Sequence, residues 1–83
     1  MATKKETLEM LARGEGCLGK AAADEPVFVL RAQDKTFAET IFVWAILQRL
    51  LGSGAHDKIG DAQRIAYAGK EWQHRTRRAK LAD

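Results

Sequence analysis

The sequence predicts a small, mainly α-helical domain with one short β segment, in the order helix, strand, helix, helix. Three observations predict this fold class. Two stretches carry apolar residues at helical spacing between capping residues and glycines, and a run of β-branched and aromatic residues follows the only proline. Residues 36–51 form a longer stretch that is apolar on almost every side. With 83 residues, the chain 1–83 is expected to be a single domain.

The first helix is predicted at residues 4–13. Thr3 and Glu6 have the spacing of a capping box, and Gly14 follows where helices commonly end. A glycine-rich connection at residues 14–26 comes next, and its start, GEGCLGK, matches dinucleotide- and phosphate-binding glycine patterns. Those patterns need a preceding buried strand and a Ser or Thr after the lysine, whereas this stretch follows a helix and has Ala21 there. We therefore interpret it as structural.

A strand is predicted at residues 27–32, with Phe28 and Leu30 on one face and Arg31 on the other. Pro26 is tolerated at the first residue of a strand. Because one strand cannot satisfy its own backbone hydrogen bonds, it needs a partner. The candidates are residues 17–20, which would make a small hairpin, and the same strand of a second copy across a dimer axis.

The stretch from Asp24 to Asp34, DEPVFVLRAQD, resembles the signature of a family of small uncharacterised proteins encoded in phages and prophages of Gram-negative bacteria. The similarity extends from about Gly16 to Trp72. It implies a phage setting and no catalytic residues. Members of the family continue with a Leu-Ala-Pro-like segment, whereas this chain continues with TFAE at residues 36–39. The basic C-terminus lies outside the shared region.

The central helix is predicted at residues 36–51, with Asp34 as its cap. Its seven consecutive apolar residues, IFVWAIL at 41–47, leave almost two turns without a polar side, so it must be covered by the rest of the domain or by a second chain. In so short a chain we expect the second chain and predict a homodimer. The residues predicted to form the core or the dimer interface are Phe28, Leu30, Ile41, Trp44, Leu47 and Trp72.

The third helix is predicted at residues 58–78, capped by Asp57, with an apolar stripe that includes Ile59 and Ala66. Residues 64–83 carry six Lys and Arg against two Asp and Glu, while residues 1–63 carry eight against nine. This basic arm suits a phosphate backbone or an acidic protein surface, or simply complements the helix dipole. The predicted partner-binding residues are Arg75, Arg77, Arg78 and Lys80 of the arm, together with Arg31.

No catalytic or cofactor-binding set is found, and we predict that the protein is not an enzyme. Cys17 is the only cysteine, which leaves no disulfide, and with His56 and His74 it offers no metal site. The apolar stretch is shorter than the about 20 residues that span a membrane, and the N-terminus lacks the pattern of a signal peptide. We expect a cytoplasmic protein in a bacterial host cell.

These observations predict a small non-catalytic phage-type accessory protein that binds and modulates a host protein or nucleoprotein complex, as a host-takeover or counter-defence inhibitor. Nucleic-acid contact would use the basic arm. The alternative is a DNA-binding transcriptional regulator of ribbon-helix-helix type, because one strand followed by two helices reproduces that order. In that fold Arg31 would be the only hydrogen-bonding side chain on the outer face of the strand, and neighbouring acidic residues would repel phosphate.

Overall fold

A computed structural model of the chain describes residues 3–81, which fold into four helices. These are α1 (Lys4–Ala12), α2 (Gly16–Lys20), α3 (Phe37–Leu50) and α4 (His56–Thr76). The prediction of a mainly helical protein is confirmed. The described residues contain no β-strand, only an isolated parallel bridge between Asp34 and Lys80.

Helix α1 begins at the predicted capping box. The Thr3 side-chain oxygen accepts from the Glu6 backbone N–H at 3.2 Å, and the Glu6 carboxylate accepts from the Thr3 backbone N–H at 3.4 Å. These bonds satisfy two donors that a helix start otherwise leaves unpaired. After α1 the chain turns through Gly14, whose φ of 68° favours glycine.

The predicted glycine-rich connection contains a short helix, α2, which packs against α1. Gly16 has a φ of 74° and lies under the Met10 side chain, so the glycines let the chain turn back closely onto α1. The hairpin pairing with residues 17–20 is therefore wrong, because Cys17 and Lys20 lie in a helix whose backbone already bonds internally. Within residues 3–81, neither α1 nor α2 packs against α3 or α4.

Residues 27–32 have no regular secondary structure, so the strand is absent from the single chain. The physical reason is the lack of a neighbouring strand, since an isolated strand has no partner for its backbone groups. The segment after it is held in place. Gln73 donates from Nε2 to the carbonyl oxygens of Ala32 at 2.7 Å and Asp34 at 2.8 Å.

Helices α3 and α4 form an antiparallel pair joined by a turn through Gly52, and they hold the core. The buried residues are Phe37, Ala38, Ala45, Ile59, Ala66 and Gly69. The Phe37 ring lies directly on the backbone of Gly69, and a Cβ there would come closer than 3.0 Å to two ring carbons. The bare glycine backbone thus lets an aromatic ring fill the space between the helices.

The predicted caps of these two helices differ from the observed ones. Asp34 precedes the N-cap Thr36 by two residues, and its carboxylate accepts from the Thr36 N–H at 2.9 Å and hydroxyl at 2.8 Å. It therefore shapes the turn into α3 without capping the helix itself. Asp57 is not a cap, because α4 begins at His56, two residues before its predicted start, with Ala55 as the N-cap. Asp57 therefore lies inside the first turn.

The six residues predicted to form the core or the dimer interface are not the buried core of the single chain. Leu30, Ile41 and Trp72 are half-buried. Trp44 is 37% exposed, Leu47 is 50% exposed and Phe28 is 85% exposed. Because α3 is apolar all round, its periodicity does not select the face that packs on α4. The small residues of both helices and the contact between Phe37 and Gly69 select it instead.

Candidate interaction surface

The side of α3 that faces away from α4 is apolar and exposed. Val43, Ile46, Leu47 and Leu50, which we call the outer face, have exposed fractions between 50% and 76%. Their spacing of three and four residues places them on one side of the helix. Leu51, just beyond the helix, is 84% exposed. The second side of the all-round apolar helix thus lies uncovered in the single chain.

Side chains bridge α3 and α4 along one edge of their contact, and we call each edge of this contact a seam. The bridged seam holds three contacts, spaced along the helix pair: the Lys70 ammonium lies 3.6 Å from the Glu39 carboxylate, the Phe42 and Tyr67 rings meet edge to face at 5.3 Å, and Arg49 donates to Gln63 at 3.1 Å. Two of these contacts are polar and lie at the surface, where they contribute little to stability. They nevertheless cover the apolar contact beneath them.

The opposite seam is open and forms an apolar groove of about 300 Å³. The groove is lined by Thr40, Ile41, Trp44, Ala62 and Ile65. The Trp44 ring forms the ridge between this groove and the outer face, because Leu47 follows it by three residues on the same side of α3. The residues that line the groove and those of the outer face include no charged side chain.

The predicted basic arm is not a helical extension. Helix α4 ends at Thr76, two residues before the predicted end, and Arg77 takes a left-handed conformation with a φ of 56°. The chain then turns back, and the Lys80 backbone pairs with residues 33 and 35. The Lys80 N–H donates to the Gln33 carbonyl at 2.9 Å, and the Lys35 N–H donates to the Lys80 carbonyl at 2.8 Å. The C-terminal cations are thereby brought beside the 27–34 segment.

Two of the predicted partner-binding cations, Arg75 and Arg78, lie beside side chains of α4. The Arg75 guanidinium lies 3.9 Å from the Glu71 carboxylate, and the Arg78 guanidinium lies 5.8 Å from the centre of the Trp72 ring. Such a cation-π contact holds the Arg78 side chain against α4. Arg31, at the end of the 27–32 segment, is exposed and close to the tail, since both line a crevice of about 140 Å³.

Hydrogen bonds lower the pKa of two exposed carboxylates. The backbone N–H of Thr36 and then its hydroxyl hold the pKa of Asp34 below its ordinary value. A hydrogen bond from Arg64 and the charge of its guanidinium do the same for the pKa of Asp61. Both groups are structural, since each stabilises a local turn or helix contact.

The residues considered for chemistry do not come together. Cys17 is exposed on α2, and His56 and His74 are exposed at opposite ends of α4. Within residues 3–81 no group of three or more His, Cys, Asp or Glu side chains is placed to hold a metal ion. No helix in this part of the chain is long and apolar enough to cross a membrane.

Sequence reasoning named only Leu47 of the outer face and missed Val43, Ile46 and Leu50. Their spacing was visible in the sequence, but a helix that is apolar all round gives no sign of which side remains uncovered. It also missed Gln73, whose amide ties α4 to the preceding segment. A single glutamine in a polar helix carries no pattern that marks such a role.

No protein-family model, curated protein or solved structure matches the chain.

Proposed function

We propose that this protein is a small non-catalytic interaction protein that works as a homodimer and binds a host protein or nucleoprotein complex in the bacterial cytoplasm. The observation that carries the proposal is the apolar outer face of α3, with four large aliphatic side chains half or more exposed. The phage setting follows from the resemblance of residues 24–34 and gives the proposal its context, that of an inhibitor used in host takeover or counter-defence.

The energetics of the outer face support a protein partner. Fully burying one Leu, Ile or Val side chain contributes about 1.5 to 3 kcal/mol, so the exposed halves of four such residues hold roughly 3 to 6 kcal/mol together. The adjoining groove beside Trp44 adds an aromatic anchor of the kind that dominates protein interfaces. Large contiguous apolar patches on soluble proteins mark interaction sites.

The charges indicate the chemistry of the partner. The C-terminal cations Arg75, Arg77, Arg78 and Lys80, with Arg31, give one end of the molecule a positive field. Such a field steers association and adds specificity more than affinity. The expected partner surface is apolar at its centre and acidic at its edge.

The experiment compares capture by matched variants. Immobilised wild type, Leu50→Glu and Leu8→Glu are incubated with a Gram-negative bacterial lysate, and bound proteins are quantified by mass spectrometry. Leu50 and Leu8 are both exposed leucines, but Leu8 lies on α1, away from the outer face. We expect a defined set of proteins to be lost with Leu50→Glu and kept with Leu8→Glu. Equal capture by all three chains would contradict the proposal, provided that circular dichroism shows each variant folded.

The ribbon-helix-helix interpretation is supported by one observation, that α3 and α4 follow the 27–32 segment in the order of that fold. It is tested by titrating labelled duplexes at low and physiological salt, with wild type and a variant that replaces Arg75, Arg77, Arg78 and Lys80 by Gln. Sequence-selective binding that persists at physiological salt would favour the regulator. Weak binding that salt abolishes, without preference among sequences, is the expected result.

A further inference from the structure

We propose that residues 25–31 of two copies pair antiparallel about a two-fold axis at Phe28, and that Glu25 of each copy forms an ion pair with the partner's Arg31. The inference rests on the homodimer of the proposed function and specifies how the two chains join. It assigns a surface other than the outer face of α3, which stays available for the host partner.

The first support is an unused backbone edge. Among residues 3–81, the backbone N–H and C=O groups of Val27, Phe28, Val29 and Leu30 make no hydrogen bond. Their composition of β-branched and aromatic residues favours a strand, which forms only when a neighbour supplies the second half of the ladder. A second copy supplies an identical edge.

The second support is that the segment is held at both ends. On one side the Glu25 N–H donates to the Ala22 carbonyl at 3.1 Å, and the Glu25 carboxylate accepts from the Ala22 N–H at 3.1 Å. On the other side Gln73 holds the carbonyls of Ala32 and Asp34. Because both ends are fixed, less chain entropy is lost when the middle pairs.

The third support is charge complementarity, which also selects the direction of pairing. In an antiparallel pair centred on Phe28, Val27 lies opposite the partner's Val29, and Glu25 lies opposite the partner's Arg31. Opposite charges at directly facing positions stabilise a pair of strands. A parallel pair in register would place glutamate opposite glutamate and arginine opposite arginine. The sequence is thus self-complementary in one direction only.

Pro26 determines which of the facing residue pairs are hydrogen-bonded. Pro26 has no N–H, so the pair it forms with the partner's Leu30 must be a non-hydrogen-bonded one. Pair types alternate along an antiparallel ladder, so the two Phe28 residues also form a non-hydrogen-bonded pair, where side chains approach most closely. The hydrogen bonds then come from Val27 and Val29, whose backbone groups are unused. Dimerisation would cover Phe28, which is 85% exposed in the single chain.

Charge reversal tests the ion pair. Sedimentation equilibrium of the full chain is measured for wild type, Glu25→Arg, Arg31→Glu and the double variant, with circular dichroism as the check on folding. We expect wild type to approach twice its 9.2 kDa mass. Each single reversal turns two attractive pairs into two repulsive ones and should raise the dimer dissociation constant by about tenfold. The double variant should recover most of this loss, although it still lacks the bond between the Glu25 carboxylate and the Ala22 N–H. Unchanged dimerisation in the single variants would overturn the register.

Cysteine cross-linking tests the axis. In a Cys17→Ser background, Phe28→Cys should form a disulfide-linked dimer under mild oxidation, because the two Cα atoms of a non-hydrogen-bonded pair lie about 4.5 Å apart. Val27→Cys is the matched control. Its own copy lies diagonally across the axis, about 7 to 8 Å away, which is too far for a strain-free disulfide. Equal cross-linking of the two variants would refute an axis at Phe28.

The outcomes separate this inference from the proposed function. A wild-type chain that stays monomeric and folded at high micromolar concentration would refute the pairing of residues 25–31. Capture of a host protein through the outer face could still succeed in that case. If Leu50→Glu dissociates the dimer and Phe28→Cys does not cross-link it, the interface lies on α3, and the pairing of residues 25–31 is also refuted. If the dimer forms through residues 25–31 but captures no host protein, only the proposed host interaction is refuted.

Discussion

The contact between Phe37 and Gly69 makes the α3 and α4 pair sensitive to a single methyl group. In Gly69→Ala, the new Cβ would come closer than 3.0 Å to two carbons of the Phe37 ring. The ring is only 8% exposed and is enclosed by both helices, so it cannot swing into solvent. Relief requires the helices to separate or the ring to leave its rotamer. Both responses loosen the core of α3 and α4, the only helix pair with buried residues in the described part of the chain.

The magnitude follows from two opposing effects. Overpacking a filled core costs about 1 to 3 kcal/mol, while replacing glycine by alanine inside a helix stabilises by about 1 kcal/mol. We expect Gly69→Ala to lower the free energy of unfolding by up to about 2 kcal/mol. Gly60→Ala, in the same helix, is the matched control, because its Cβ would meet only the Arg64 side chain, at 3.8 Å. That variant should gain up to about 1 kcal/mol from propensity alone.

Urea denaturation followed by circular dichroism at 222 nm measures the difference. The two alanine variants should differ by roughly 2 kcal/mol in opposite directions from wild type. Phe37→Leu should be less harmful in the Gly69→Ala background than in wild type, because a smaller side chain relieves the overlap. The reasoning is refuted if Gly69→Ala is as stable as Gly60→Ala.

Three further changes test other parts of the structure. Trp44→Ala should lower the free energy of unfolding by about 1 to 3 kcal/mol in urea denaturation, because the ring is 37% exposed. A fully buried aromatic residue would cost about 3 to 5 kcal/mol, and a loss of that size would contradict the position of Trp44 at the groove. Thr3→Ala should lower the stability of α1 by about 1 kcal/mol, seen as faster amide exchange in α1, while exchange in α4 stays unchanged because the two do not pack together. The third change concerns pH. The pKa of Asp34 is lowered in the folded state by the hydrogen bonds from Thr36, so its contribution to stability is present above the unfolded pKa of about 3.9 and is lost as the pH falls through the lower, folded pKa. The urea midpoint should therefore fall less between pH 6 and pH 3 for Asp34→Asn than for wild type. An equal fall in the two proteins would show that these hydrogen bonds do not stabilise the fold.

The parts of the fold that follow from local chemistry could be predicted from the sequence. The capping box of Thr3 and Glu6 located the start of α1, because it needs only residues three apart. The small and apolar stripe of α4 located its packing face, with Ile59, Ala66 and Gly69 all buried. In both cases the sequence pattern that made the prediction lies within one helix or one turn.

The parts of the structure that could not be predicted depend on contacts outside the segment itself. Residues 27–32 have strand composition, but a strand exists only where a neighbour pairs with it, and the described chain provides none. Trp44 is predicted to lie in the core or the dimer interface because α3 is apolar all round. In the single chain it is 37% exposed, because the choice of buried face depends on which side fits Gly69. The short helix α2 was missed because its glycines have low helix propensity and it is stabilised by packing on α1.

The charges around residues 25–31 bear on the choice between a protein and a DNA partner. In a ribbon-helix-helix protein the outer side chains of the paired strands read bases, and Arg31 is the only cation available for that. If the strands pair about Phe28, each Arg31 lies opposite the partner's Glu25, which neutralises the one side chain suited to reading guanine. Arg75 already has Glu71 beside it, and Arg78 lies on the Trp72 ring. An apolar surface on α3 with a basic border fits a protein partner better than a polyanion.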